Sequence, residues 1–167
     1  MYTEIENLRD TSRVWIYQCE RELSNEEASM AEELSKRFVE QWVAHQVALM
    51  ASFKLVGNQF LVLAVDEDVH GASGCSIDSS VRFVQELGRK LNTSFLDRRI
   101  PVMIDEKLEL LSTSEIKNLS NSGKINENTV FFNNLVSNLD DFRNNWKQKA
   151  GESWLKRFLS TKEETVK

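Results

Sequence analysis

The residue types able to do chemistry concentrate in one stretch, Asp66-Glu67-Asp68-Val69-His70-Gly71-Ala72-Ser73-Gly74-Cys75-Ser76-Ile77-Asp78-Ser79-Ser80. It follows an apolar run, Gln59-Phe60-Leu61-Val62-Leu63-Ala64-Val65, and precedes an amphipathic pattern, so it links a buried strand to a helix N-terminus. Gly71 and Gly74 permit a tight turn and close approach of a ligand to the backbone. Ser76 is suited to cap the helix, which places Asp78 in its first turn and Cys75 just before it. There the helix dipole favours thiolate over thiol, and His70, five residues upstream, is available to take the thiol proton.

Three chemistries suit this set. Cys75 can serve as a nucleophilic or redox thiol with His70 as its base. Gly71, Ser73, Gly74, Ser76 and Asp78 are the candidate ligand-binding residues, the glycines and first helical amides suited to cradle a small anion, while Asp66, Glu67, Asp68 and Asp78 weigh against a highly charged one. The same carboxylates with His70 can bind a divalent cation, but their spacing follows no calcium-loop pattern, and no metal site is assigned. Against all three stands a structural reading, in which the serines, Asp78 and the glycines build a well-capped turn and Cys75 is a small packed residue.

The elements that must position this loop follow from periodicity. Arg13-Val14-Trp15-Ile16-Tyr17-Gln18-Cys19 is β-branched and aromatic and predicts a strand. Ser24-Asn25-Glu26-Glu27 is a capping box opening a helix with the stripe Ala31, Leu34, Phe38 and Trp42, continued by His45. The apolar run 48–56, the turn Gly57-Asn58 and the run 59–65 predict a β-hairpin. The stripe Ile77, Val81, Val84, Leu87 and Leu91 predicts a second helix. Pro101-Val102-Met103-Ile104 predicts a short strand with its proline at the start or on an edge, and Thr129-Val130-Phe131-Phe132 another. Ser114 to Leu119 predicts a short helix ending before Gly123. Ser137 is suited to cap a helix presenting Leu139, Phe142 and Trp146 and ending at Gly151. Residues 151–167 predict a C-terminal helical segment, docked by Trp154, Phe158 and Leu159, with a frayed tail.

The expectation is one α+β domain over 1–167, a single mixed or antiparallel sheet with a β-hairpin, packed by three to four helices. If the first strand runs parallel to 59–65, Cys19, Arg21 and Cys75 meet on one rim, where ligands of open sheets bind.

Composition sets limits. The 167 residues carry 21 Lys+Arg and 26 Asp+Glu, a net charge of −5, which argues against non-specific nucleic-acid binding. No apolar run is long enough to span a membrane, and the acidic N-terminus is no secretory signal. Two cysteines make neither a disulfide framework nor a zinc set, so a reducing cytoplasm is expected. Residues 1–40 hold 5 basic and 10 acidic side chains, and 141–167 hold 7 and 4. The spacings of Gly-x-x-x-x-Gly-Lys-Ser/Thr, Gly-x-Gly-x-x-Gly, His-Glu-x-x-His and Gly-x-Ser-x-Gly are all missing, so no nucleotide cofactor is implied.

Val14-Trp15-Ile16-Tyr17-Gln18, Arg21-Glu22-Leu23-Ser24 and His70-Gly71-Ala72-Ser73-Gly74-Cys75-Ser76-Ile77-Asp78-Ser79-Ser80 together resemble a family of small uncharacterised bacterial proteins. Its members are often labelled ABC-transporter ATPases, a label that the missing phosphate-binding loop contradicts here. The resemblance implies a bacterial cytoplasmic protein and assigns no residue a role. Two functional classes stay open. One is a thiol or small-ligand site at 66–80, taking a small anionic ligand. The other is a noncatalytic module that docks a protein partner through the acidic first helix or the basic C-terminal segment.

Overall fold

The computed structural model describes residues 1–161. Its helices are α1 (Asn25–Gln41), α2 (Gly74–Lys90), α3 (Thr113–Asn121) and α4 (Leu139–Asn145). The strands are β1 (Arg13–Gln18), β2 (Val43–Ala44), β3 (Val47–Ala48), β4 (Ala51–Val56), β5 (Phe60–Val65), β6 (Ile100–Ile104), β7 (Lys107–Leu111), β8 (Val130–Phe132) and β9 (Lys147–Lys149). This is an α+β fold in which every pairing between named strands is antiparallel. The chain divides into two compact units, Met1–Asp97 with Ser137–Arg143, and Arg98–Val136 with the chain from Asn144 onward.

In the first unit β5 is central, ordered β1-β5-β4. All six β5 side chains are buried. Leu61, Leu63 and Val65 join the core beneath α1 and α2, while Val62 and Ala64 join a second core with Ile5, Val14 and Leu139. The expected hairpin is present: β4 and β5 meet through Gly57 and Asn58, both at positive φ (59° and 54°), the conformation a tight hairpin turn demands.

The expected single sheet is instead three: β1-β5-β4, the two-stranded β2-β3, and β7-β6-β8-β9. Irregular chain already occupies the edges of the first. Beside β1, the Val14 amide donates to the Ser137 carbonyl (3.0 Å); beside β4, the Thr3 amide donates to that of Ala51 (3.0 Å). β1 runs antiparallel to β5, so the parallel rim does not form.

α1 opens on the expected capping box. The Glu27 amide donates to Ser24 Oγ (3.1 Å) and the Ser24 amide returns to Glu27 Oε1 (2.9 Å). Arg21 adds a two-pronged clamp on the Glu27 carboxylate (2.9 and 2.7 Å) and also donates to the Leu91 carbonyl. Arg21 and the Ser24 amide hold Glu27 down from 4.5 to about 2. The helix stops at Gln41, because Trp42 turns extended (ψ 124°) to bury its indole. His45 therefore leaves the predicted stripe and sits exposed in the β2–β3 turn at φ 50°.

α2 ends by folding back on itself. Asn92 (φ 52°) sends its amide to the Arg89 carbonyl (3.3 Å), and Thr93 to that of Gly88 (2.8 Å), the paired bonds of a left-handed C-terminal cap.

In the second unit, one face of the β7-β6-β8-β9 sheet buries Val102, Leu111 and Phe131 against Ile116 of α3, Ile125, Ala150 and Leu155. Pro101 lies near the start of β6, and β8 engages β6 only at Val102↔Phe131, so the missing N–H costs the ladder nothing on that side. β7 is an added strand. The turn before it uses Asp105 and Glu106 at φ 50° and 64°, without the glycine that normally signals such a hairpin.

The predicted helix 137–151 is shorter. Asn138, rather than Ser137, caps α4 by accepting from the Asp141 amide (2.8 Å). The helix ends at Asn145, and Lys147–Lys149 pairs with β8 as β9, where the edge amide of Asn133 donates to the Trp146 carbonyl (2.6 Å). The expected C-terminal segment is a 3-10 turn, Trp154–Phe158, packed on the core of this unit. Residues 162–167, the last part of the segment predicted to fray, lie outside the described residues.

Two outcomes follow. A Cβ added at Gly88 would lie 2.6 Å from the Thr93 carbonyl oxygen. Gly88→Ala should therefore destabilise by about 1–3 kcal/mol of overpacking, despite the ~1 kcal/mol helix preference for alanine, read as a lower urea midpoint. Because Glu27 is depressed in the folded chain, its stabilisation is present above pH 4.5 and lost as pH falls toward about 2. Glu27→Gln should flatten the stability–pH curve over that window.

Candidate functional site

The chain leaves β5 into the 66–73 loop, and its polar side chains are engaged. Asp66 is buried; its carboxylate accepts from the Asp68 amide (3.0 Å) and faces Arg9 Nε (3.3 Å), while Arg9 also donates to Asp68 (3.1 Å). The Glu67 carboxylate accepts from the Ala72 amide (2.9 Å) and lies 3.8 Å from Arg13. These pairings occupy three of the four carboxylates proposed for a cation, Asp66, Glu67 and Asp68, and no metal-ligating group of three or more His, Cys, Asp or Glu occurs among the described residues.

His70 points at β2. Its Nε2 lies 3.1 Å from the Ala44 carbonyl oxygen, which can only accept, so Nε2 carries the proton and Nδ1 is the nitrogen left to accept one. The structure shows no hydrogen bond between His70 and Cys75.

The N-terminus of α2 differs from expectation by three residues. Ser73 is the N-cap: the Ser76 amide donates to Ser73 Oγ (3.1 Å), and the Ser73 amide donates to Ser76 Oγ (2.7 Å). Ser76 is thus the third helical residue, Cys75 the second, and Asp78 lies beyond the first turn. The physical reason is that Ser76 faces inward. Trp42 Nε1 donates to the Ser76 carbonyl (2.8 Å), and Ser80 Oγ lies 2.7 Å from the Tyr17 hydroxyl. The hydroxyls of Ser76, Ser79 and Ser80 each donate to a carbonyl three residues back (2.8, 2.7 and 2.6 Å), which satisfies them without outside partners. Burial pushes the Tyr17 phenol up, and its bond to Ser80 opposes the shift. The serines of this motif are therefore accounted for structurally, Ser73 and Ser79 by local bonds to the α2 backbone and Ser76 and Ser80 also by Trp42 and Tyr17.

Cys75 is left over. Its side chain is exposed. The amides of Gly74 and Cys75, the first two of the helix, make no hydrogen bond among the described residues. Gly71, Gly74 and Asp78 are exposed, whereas Ser73 and Ser76 spend their side chains on one another. Of the predicted anion-binding set, only main-chain donors stay available.

Cys19 is not brought near. It is fully buried, its Sγ 3.3 Å from Thr93 Oγ1 at the C-terminal end of α2. A helix of 17 residues separates the two cysteines, roughly 25 Å at ~1.5 Å per residue, beyond the reach of a disulfide. Arg21 is committed to Glu27 and Leu91 at that same far end.

One concave feature escaped the sequence reading. A groove of 250 Å³ between α1 and α2 is lined by Leu34, Phe38, Phe83 and Leu87, with Arg37, Gln41, Glu86 and Lys90 around it. The Phe38 and Phe83 rings stack in parallel, with centroids 4.5 Å apart. Phe38 is in the predicted stripe of α1; Phe83 is off that of α2, and only the pairing of the helices reveals it.

No family model, no curated protein and no solved structure matches this chain.

Arg9 is the cation on the buried Asp66 carboxylate, so Arg9→Ala should loosen the loop at 66–73. Amide hydrogen exchange there should quicken by about 5–30-fold, as a local loss of ~1–2 kcal/mol requires, while β5 stays protected. Unchanged exchange would show that the loop is held without this pair.

Proposed function

We propose that this chain is a thiol-exchange protein acting through Cys75 on a small disulfide. The observation that carries the reading is an exposed thiol on the second residue of a 17-residue helix, beside two backbone amides with no partner among the described residues. Cys75 sits at the positive end of the α2 dipole, the place on a helix that suits a negatively charged group. The thiolate attacks one sulfur of the disulfide, a new bond to Sγ forms as the old S–S bond breaks, and the other half leaves as a thiolate. No external oxidant or reductant is consumed. Cys19 is buried at the other end of α2, so a free thiol from solution, rather than a second cysteine of this chain, removes the adduct. The Gly74 and Cys75 amides favour a negative group on the incoming molecule, and Asp78, one turn beyond Cys75, disfavours high charge.

In a Cys19→Ser background, alkylation of Cys75 at neutral pH should run roughly two- to fivefold faster in the folded chain than in urea, the factor that a helix-end interaction of about 0.3–1 kcal/mol supplies. Asp78→Asn should raise the folded rate further, by up to about twofold. His70→Ala should leave it unchanged, since the activation comes from the helix end. Incubation with a small anionic disulfide should yield a single adduct at Cys75 by intact mass. A folded thiol no faster than the unfolded one, indifferent to Asp78, would overturn the reading in favour of a docking module acting through α1 or residues 141–167.

A further inference from the structure

We draw no further inference here: the strongest candidate, the apolar groove between α1 and α2 floored by the stacked Phe38 and Phe83 rings, carries nothing because its rim is mixed in charge and nothing in the structure shows what covers it.

Discussion

The first unit depends on the burial of β5 on both faces. Its six side chains, Phe60 to Val65, are all removed from solvent, and each large one contributes roughly 1.5–3 kcal/mol of gross burial. A strand so placed requires a layer on each side: α1 and α2 on one, and the N-terminal residues with α4 on the other. It also requires a neighbour along each edge to take its backbone hydrogen bonds, which β1 and β4 supply. The 66–73 loop starts from this fixed strand, and the buried Asp66 carboxylate anchors its first residue.

From that anchor the position of α2 is decided by small residues. Ser76 and Ser80 occupy core-facing positions where larger side chains would hold the helix away from Trp42 and Tyr17. Their hydroxyls would be costly to bury unpaired; both donate to i−3 carbonyls, and that of Ser80 also meets the Tyr17 hydroxyl. A segment rich in hydroxyls beside a cysteine reads as reactive in one dimension. In three dimensions the hydroxyls are structural, and the thiol is what faces solvent.

The two cysteines divide by environment. Cys19 is packed at the C-terminal end of α2 against Thr93 and behaves as a small core residue with a satisfied thiol. Cys75 stands at the opposite end of the same helix, where the dipole has the sign that favours an anion. The helix thus keeps them apart, one packed and one exposed, which is why the proposed exchange needs a thiol from outside the chain.

Local grammar determined much of this. Ser24 and Glu27 three residues apart specify a capping box whatever surrounds them, Gly57-Asn58 specify a hairpin, and the apolar run 59–65 specifies burial. The α+β class follows from such signals. Partnership was decided by tertiary structure, because it depends on chain distant in sequence. α1 stops where Trp42 finds the Ser76 carbonyl 34 residues on. The predicted helix at 137–151 breaks because an edge of β8 accepts Lys147–Lys149, and β1 runs against β5 rather than with it, so the imagined meeting of Cys19 and Cys75 does not occur. The sequence by itself placed a cysteine near a helix start. Only the packing of Ser76 and Ser80 inward decided that Cys75 would point out.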